Sequence, residues 1–232
     1  DLFLELKEYN DSFLEFEKSL DFLDSKQKKT MMYSKLAYIS ESENELNRAI
    51  EYLEKIQIIT NQKETKIESF KKWLDIMKKL KRYDDIIIEI QDKINTSDFQ
   101  DATLQDELNI ELAIVYLKKN DFSKSKNLLN DIINSTNQKK IKCQSYYWLG
   151  NISLVHEFDL ELAAEYFNLV NETMRSSNYS KEVKAYLNNI EAYNSLLQEY
   201  DFLINEKLEN TSDNIIDDDN FIPIPGNIIN EG

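Results

Sequence analysis

Glycine and proline are nearly missing from this chain, at three and two in 232 residues. They are the residues that break helices and shape tight turns. Their scarcity excludes a hairpin-rich sheet architecture and argues for an all-helical protein. Cysteine occurs once, as Cys143, which excludes an internal disulfide and any cysteine-based metal site. One cysteine fits the cytoplasm, and it fits the periplasm equally where a targeting segment precedes Asp1. No apolar run approaches the roughly 18 residues that span a bilayer, and no signal-peptide core is present. The single histidine, His156, falls in an expected turn, where a surface role is the plain reading. Without a catalytic or ligand constellation, neither enzymatic activity nor a cofactor or metal is expected. Cations are outnumbered as well, 28 against 43 acids, giving a net charge of −15 and a pI near 4.6. Such a chain repels phosphate backbones, which weighs against a nucleic-acid partner.

What is present is periodic. With 41% hydrophobic and 11% aromatic residues there is enough apolar surface for a continuous core. Pairs of a small and a large residue four apart recur along the chain: Ser12 and Phe16, Ala49 and Leu53, Ile86 and Ile90, Ser125 and Leu129, Ala163 and Phe167. The intervals between them are 37, 37, 39 and 38 residues. A fixed period in this range reads as a solenoid of stacked helix pairs. A second signature leads each pair by twelve residues: Tyr33-x-x-Leu36-Ala37, Phe70-x-x-Trp73-Leu74 and Leu112-Ala113-x-x-Tyr116. In the last unit Tyr146-x-x-Leu149-Gly150 leads by thirteen, so the turn around His156 holds one extra residue. Polar joints stand between units, such as Thr60-Asn61-Gln62 and Asn134-Ser135-Thr136-Asn137. Thr65-x-x-Glu68 and Ser97-x-x-Gln100 carry capping-box spacing.

These motifs resemble the tetratricopeptide repeat (TPR), with aromatic-x-x-Leu-Gly/Ala-x-x-Tyr in the first helix and Ala-x-x-x-Phe in the second. The period is longer than the usual 34 or so residues, and the closing proline is absent; long repeats and composition look bacterial. The resemblance implies an all-α, right-handed superhelical solenoid of antiparallel helix pairs with a C-terminal capping helix. Its expected divisions are a half repeat at 1–24 and repeats at about 30–60, 65–95, 104–134 and 140–176. A capping helix at 180–208 follows, where Val183, Tyr186, Leu187, Ile190, Tyr193, Leu197, Tyr200 and Ile204 recur at three- and four-residue steps. An acidic tail covers 209–232. Asp217-Asp218-Asp219 within it lacks the alternating oxygens and glycine of a calcium loop.

The same resemblance implies a scaffold or adaptor that holds a peptide or helix of another protein in a concave groove. Alternatives are a peptide-sensing regulator or a subunit of a bacterial envelope-assembly complex. Counting from Ala37, Leu74, Ala113 and Gly150, the groove positions are Ser34, Tyr38 and Glu41, then Lys71, Asp75 and Lys78. The later repeats give Ile110, Ile114, Leu117, Tyr147, Asn151 and Leu154. The expected groove is therefore charged in its first half and apolar in its second. Lys71, Lys72, Lys78, Lys79, Lys81 and Arg82 form a basic cluster that is either a solvated face or a dock for an acidic segment. Partner identity and oligomeric state are not legible.

Overall fold

The computed structural model describes the backbone of residues 9–213 and the side chains of 13–208. The acidic run Asp217-Asp218-Asp219, the rest of the expected tail from 214, residues 1–8 and the Ser12 side chain lie outside the described residues. Ten α-helices follow one another, and among the described residues there is no strand: α1 (Tyr9–Ser19), α2 (Lys26–Ser42), α3 (Leu46–Ile59), α4 (Lys63–Lys79), α5 (Tyr83–Ile94), α6 (Ala102–Lys118), α7 (Phe122–Ser135), α8 (Lys139–Ile152), α9 (Leu160–Thr173) and α10 (Asn178–Asp213). Each packs on its neighbour in the chain, and α6 and α8 also touch across α7, as do α8 and α10 across α9. The result is an all-α solenoid of antiparallel helix pairs, α2–α3, α4–α5, α6–α7 and α8–α9.

The small positions explain the pairing. Ala37, Ala49, Ala113, Ser125, Gly150 and Ala163 are all buried, as are the large residues Leu53, Ile90, Leu129 and Phe167. At Gly150 the fit is closest, because a Cβ built there would lie 2.5 Å from Cε1 of Phe167. The ring of α9 therefore occupies the space that a side chain on α8 would need. Ser125 makes its small size useful in another way, donating from Oγ to the Ala113 carbonyl across the α6–α7 pair at 2.8 Å.

Turns inside the pairs need no glycine. Asn44, Lys81, Asn120 and Phe158 each take a left-handed conformation, with φ of 61°, 56°, 62° and 56°. In the first three turns the next amide bonds back five residues, from Glu45 to Ser40, Arg82 to Met77 and Asp121 to Tyr116. The left-handed residue itself bonds to Glu41, Lys78 or Leu117. This is the Schellman arrangement, which satisfies carbonyls that the ending helix leaves open. The extra residue of the last unit is taken up by a π-helical turn at Ser153–Glu157. A longer joint with a 3₁₀ turn at Ser97–Phe99 accounts for the 39-residue interval, and Phe99 is packed edge-on against Phe70 at 5.4 Å.

Both expected capping boxes are corrected. Thr65 lies inside α4, and Ser97 makes no cap bond because the 3₁₀ turn intervenes. The side chains that do cap include Ser25 on α2, Asp101 on α6, Asp121 on α7, Asp159 on α9 and Ser177 on α10.

The closing helix α10 covers the array only in its first part. Val183 and Ile190 are buried against Phe167, Val170 and Tyr147, whereas every described side chain from Glu191 onward is exposed.

Candidate functional site

The first helices of the pairs carry one face of the array, and two clefts open along it. The smaller lies between α2, α3 and α4 and includes Ser34, Tyr38, Glu41 and Lys72. The larger, about 340 Å³, lies between α4, α6, α8 and the start of α10. Lys71, Asp75 and Lys78 enter it from α4, Glu107 and Glu111 from α6, Lys140 and Gln144 from α8, and Tyr179 from α10. The register puts them there: residues three or four apart on a helix share a face, and the opposite face of each helix is committed to the core.

Ion pairs bridge neighbouring repeats along this face. The Lys71 ammonium meets Glu107 at 2.7 Å, and Lys78 meets Glu111 and Asp75 at 2.9 Å each. Lys79 reaches back to Glu41 at 2.5 Å. Burial alone would lower the pKa of Lys78, but the carboxylates of Glu111 and Asp75 outweigh it and hold it above the usual lysine value. Lys140 has no ion-pair partner among the described residues. The basic cluster is thus largely neutralised from adjacent helices, with Arg82 bound to Asp85 at 2.7 Å.

The expected apolar half of the groove is corrected. Ile110 is buried in a cluster with Ile132 and Ile141, and Leu117 is buried with Ala113, Leu129, Leu149 and Ile152. Ile114 is half-buried against the Ile110 cluster. Helix α6 sits between α4 and α5 on one side and α7 and α8 on the other, so it has no wholly free apolar face. The signal was present in the run Leu112-Ala113-Ile114-Val115, since a helix apolar all round is a buried one. Tyr147 is buried too, its hydroxyl donating to Glu182 at 2.5 Å and its ring 4.8 Å from Tyr179. Burial and that carboxylate together raise its pKa. Asn151 is spent on the Tyr147 carbonyl at 2.9 Å, and Leu154 is half-buried at a different corner, beside Phe158 and Tyr193.

Of the expected site residues, the structure brings together Lys71, Asp75 and Lys78; Tyr38 lies in the neighbouring cleft. Glu107, Glu111, Lys140 and Tyr179 were missed. The available clue was charge of opposite sign one repeat on, at Lys71 with Glu107 and Lys78 with Glu111. His156 is exposed and stacks on Phe122 at 4.1 Å, and Cys143 is buried, 3.4 Å from Ser177 Oγ. Among the described residues no acidic, histidine or cysteine group could hold a metal, and no helix is long and apolar enough to cross a membrane.

The helix pairs, their period and their buried small positions define the class: this is a tetratricopeptide-repeat fold. Among solved structures it is similar to YrrB, a TPR protein with an unusual peptide-binding site. The TM-score is 0.50 at 11% sequence identity, over 79% of this chain and 87% of that one. No family model matches the chain, and no curated protein matches it.

Proposed function

We propose that the array is a non-enzymatic scaffold that binds an extended segment of another protein in the cleft between α4, α6, α8 and α10. One observation carries this reading. The cleft is lined by three lysines and three carboxylates whose pairings are solvent-accessible and exchangeable. An exposed pair such as Lys71–Glu107 is worth only about 0.2–1 kcal/mol, so a ligand carboxylate can replace Glu107 at small cost. Lys140 supplies a cation that is not already engaged. Recognition is therefore by charge pattern, with Tyr179 as an aromatic wall, and it weakens as salt rises.

The test is a peptide-display selection on the full chain, with the Lys71→Glu/Lys140→Glu variant as counter-selection. Both side chains are exposed, so the variant leaves the fold in place. Enriched peptides are expected to carry paired acids and to lose at least about tenfold in affinity on the variant, a loss of about 1.4 kcal/mol. Peptides that bind both forms equally place recognition elsewhere on the molecule.

A further inference from the structure

Helix α10 carries a strict heptad stripe: Val183, Tyr186, Ile190, Tyr193, Leu197, Tyr200 and Ile204 are spaced three and four residues apart in alternation. Sustained spacing of this kind is the seam of paired helices. In its first part the seam has a partner, since Val183 is 0% and Ile190 6% exposed on the α8–α9 pair. Past Ile190 the seam runs off the array. Tyr193, Leu197, Tyr200 and Ile204 are 52%, 46%, 62% and 38% exposed, with Leu196 and Leu203 alongside. Residues 191–208 project about 27 Å, at 1.5 Å per residue. A lone helix of that length is marginal in water, and a contiguous apolar surface of this kind marks an interface.

We infer that the projecting half of α10 pairs with the same segment of a second copy of this chain. Charge placement selects that occupant. Glu191, Glu199 and Glu206 fall outside the stripe and its edges. The edges carry Asn189, Leu196 and Leu203 on one side and Leu187, Asn194, Asp201 and Leu208 on the other. With Asp201 the only carboxylate at the seam, two chains of net charge −15 meet there with little repulsion. A basic partner would find few carboxylates to engage. The apolar corner formed by Leu154, Phe158, Leu160, Tyr186, Ile190 and Tyr193 is continuous with the stripe and extends the surface. This inference concerns a different surface from the cleft and stands independently of it.

Sedimentation equilibrium of the full chain tests it. At about 100 µM, where even an affinity of order 10 µM pairs most chains, the mass is expected to be twice the 27.4 kDa of one chain. Leu197→Glu/Tyr200→Glu buries carboxylates in the seam and is expected to weaken association at least about 100-fold. Truncation after Glu191 is expected to give the monomer as well. Neither change touches a residue described as buried, and tryptophan fluorescence reports that the array is intact. A wild-type chain that stays at 27.4 kDa overturns the inference, as does a dimer that persists in the double variant. Deleting residues 214–232 is expected to leave the dimer unchanged. A wild-type monomer that dimerises only after that deletion assigns the stripe to the chain's own tail and equally overturns it.

Discussion

Gly150 and Phe167 show how a single missing Cβ fixes the spacing of two helices. The ring is fully buried and has nowhere to turn, so Gly150→Ala forces α8 and α9 apart. Overpacking costs about 1–3 kcal/mol, against about 1 kcal/mol regained because alanine favours the helix. A net loss of up to about 2 kcal/mol is expected from urea unfolding, partly recovered by adding Phe167→Leu. The exposed change Glu51→Leu on α3 is expected to cost little. Tyr52 makes a second residue-scale prediction. Its hydroxyl donates to Glu17 on α1 at 2.9 Å, and burial, then that carboxylate, push its pKa up to about 12 from 10.0. The protonated phenol is favoured in the folded state, so its stabilisation is complete below pH 10 and is lost as pH climbs from 10 through 12. Tyr52→Phe should flatten the pH dependence of the melting temperature in that window relative to wild type. Equal slopes in the two proteins would show that the phenol contributes nothing there.

At the scale of elements, the left-handed turn residues are where the chain's poverty in glycine is felt. Lysine pays a steric penalty of about 1–2 kcal/mol at positive φ that glycine escapes, while asparagine tolerates that region. Lys81→Gly is therefore expected to stabilise by about 1 kcal/mol, the penalty less the entropy cost of glycine, and Asn44→Gly and Asn120→Gly to be nearly neutral in thermal melts. Their left-handed conformation was invisible in the sequence, because no glycine marks it. What the sequence made legible was whatever repeats with the period: Ala49, Ser125 and Ala163 located the second helices, and the thirteen-residue interval marked one extra residue, which the structure takes up as a π-helical turn. The cleft was half legible. Lys71, Asp75 and Lys78 follow from helical register on α4, but the same offsets on α6 gave Ile110 and Leu117, which are core. Register within one helix does not say how many neighbours that helix has, and α6 is enclosed where α4 is not. Capping failed for a related reason: Ser97 has the right spacing, but the 3₁₀ turn moves the true cap to Asp101.

For the molecule as a whole, contacts run mainly between successive helices, so stability is expected to be close to a sum of local terms and to fray from the ends. Amide exchange should be slowest in α4–α8 and faster toward both ends. In Leu197→Glu/Tyr200→Glu, exchange beyond Glu191 should be faster still. Among the contacts that link separate repeats are the ion pairs on the cleft side. Glu41–Lys79, Lys71–Glu107 and Lys78–Glu111 each join one repeat to the next. In mechanical terms, these pairs are electrostatic stitches between successive repeats. Replacing Glu41, Glu107 and Glu111 by glutamine removes three negative charges, which by reduced self-repulsion alone would contract an acidic molecule. Cutting the stitches has the opposite sign, and small-angle scattering is expected to show a larger radius of gyration. A ligand carboxylate that takes the place of Glu107 would undo one such stitch, and is expected to move the radius of gyration in the same direction.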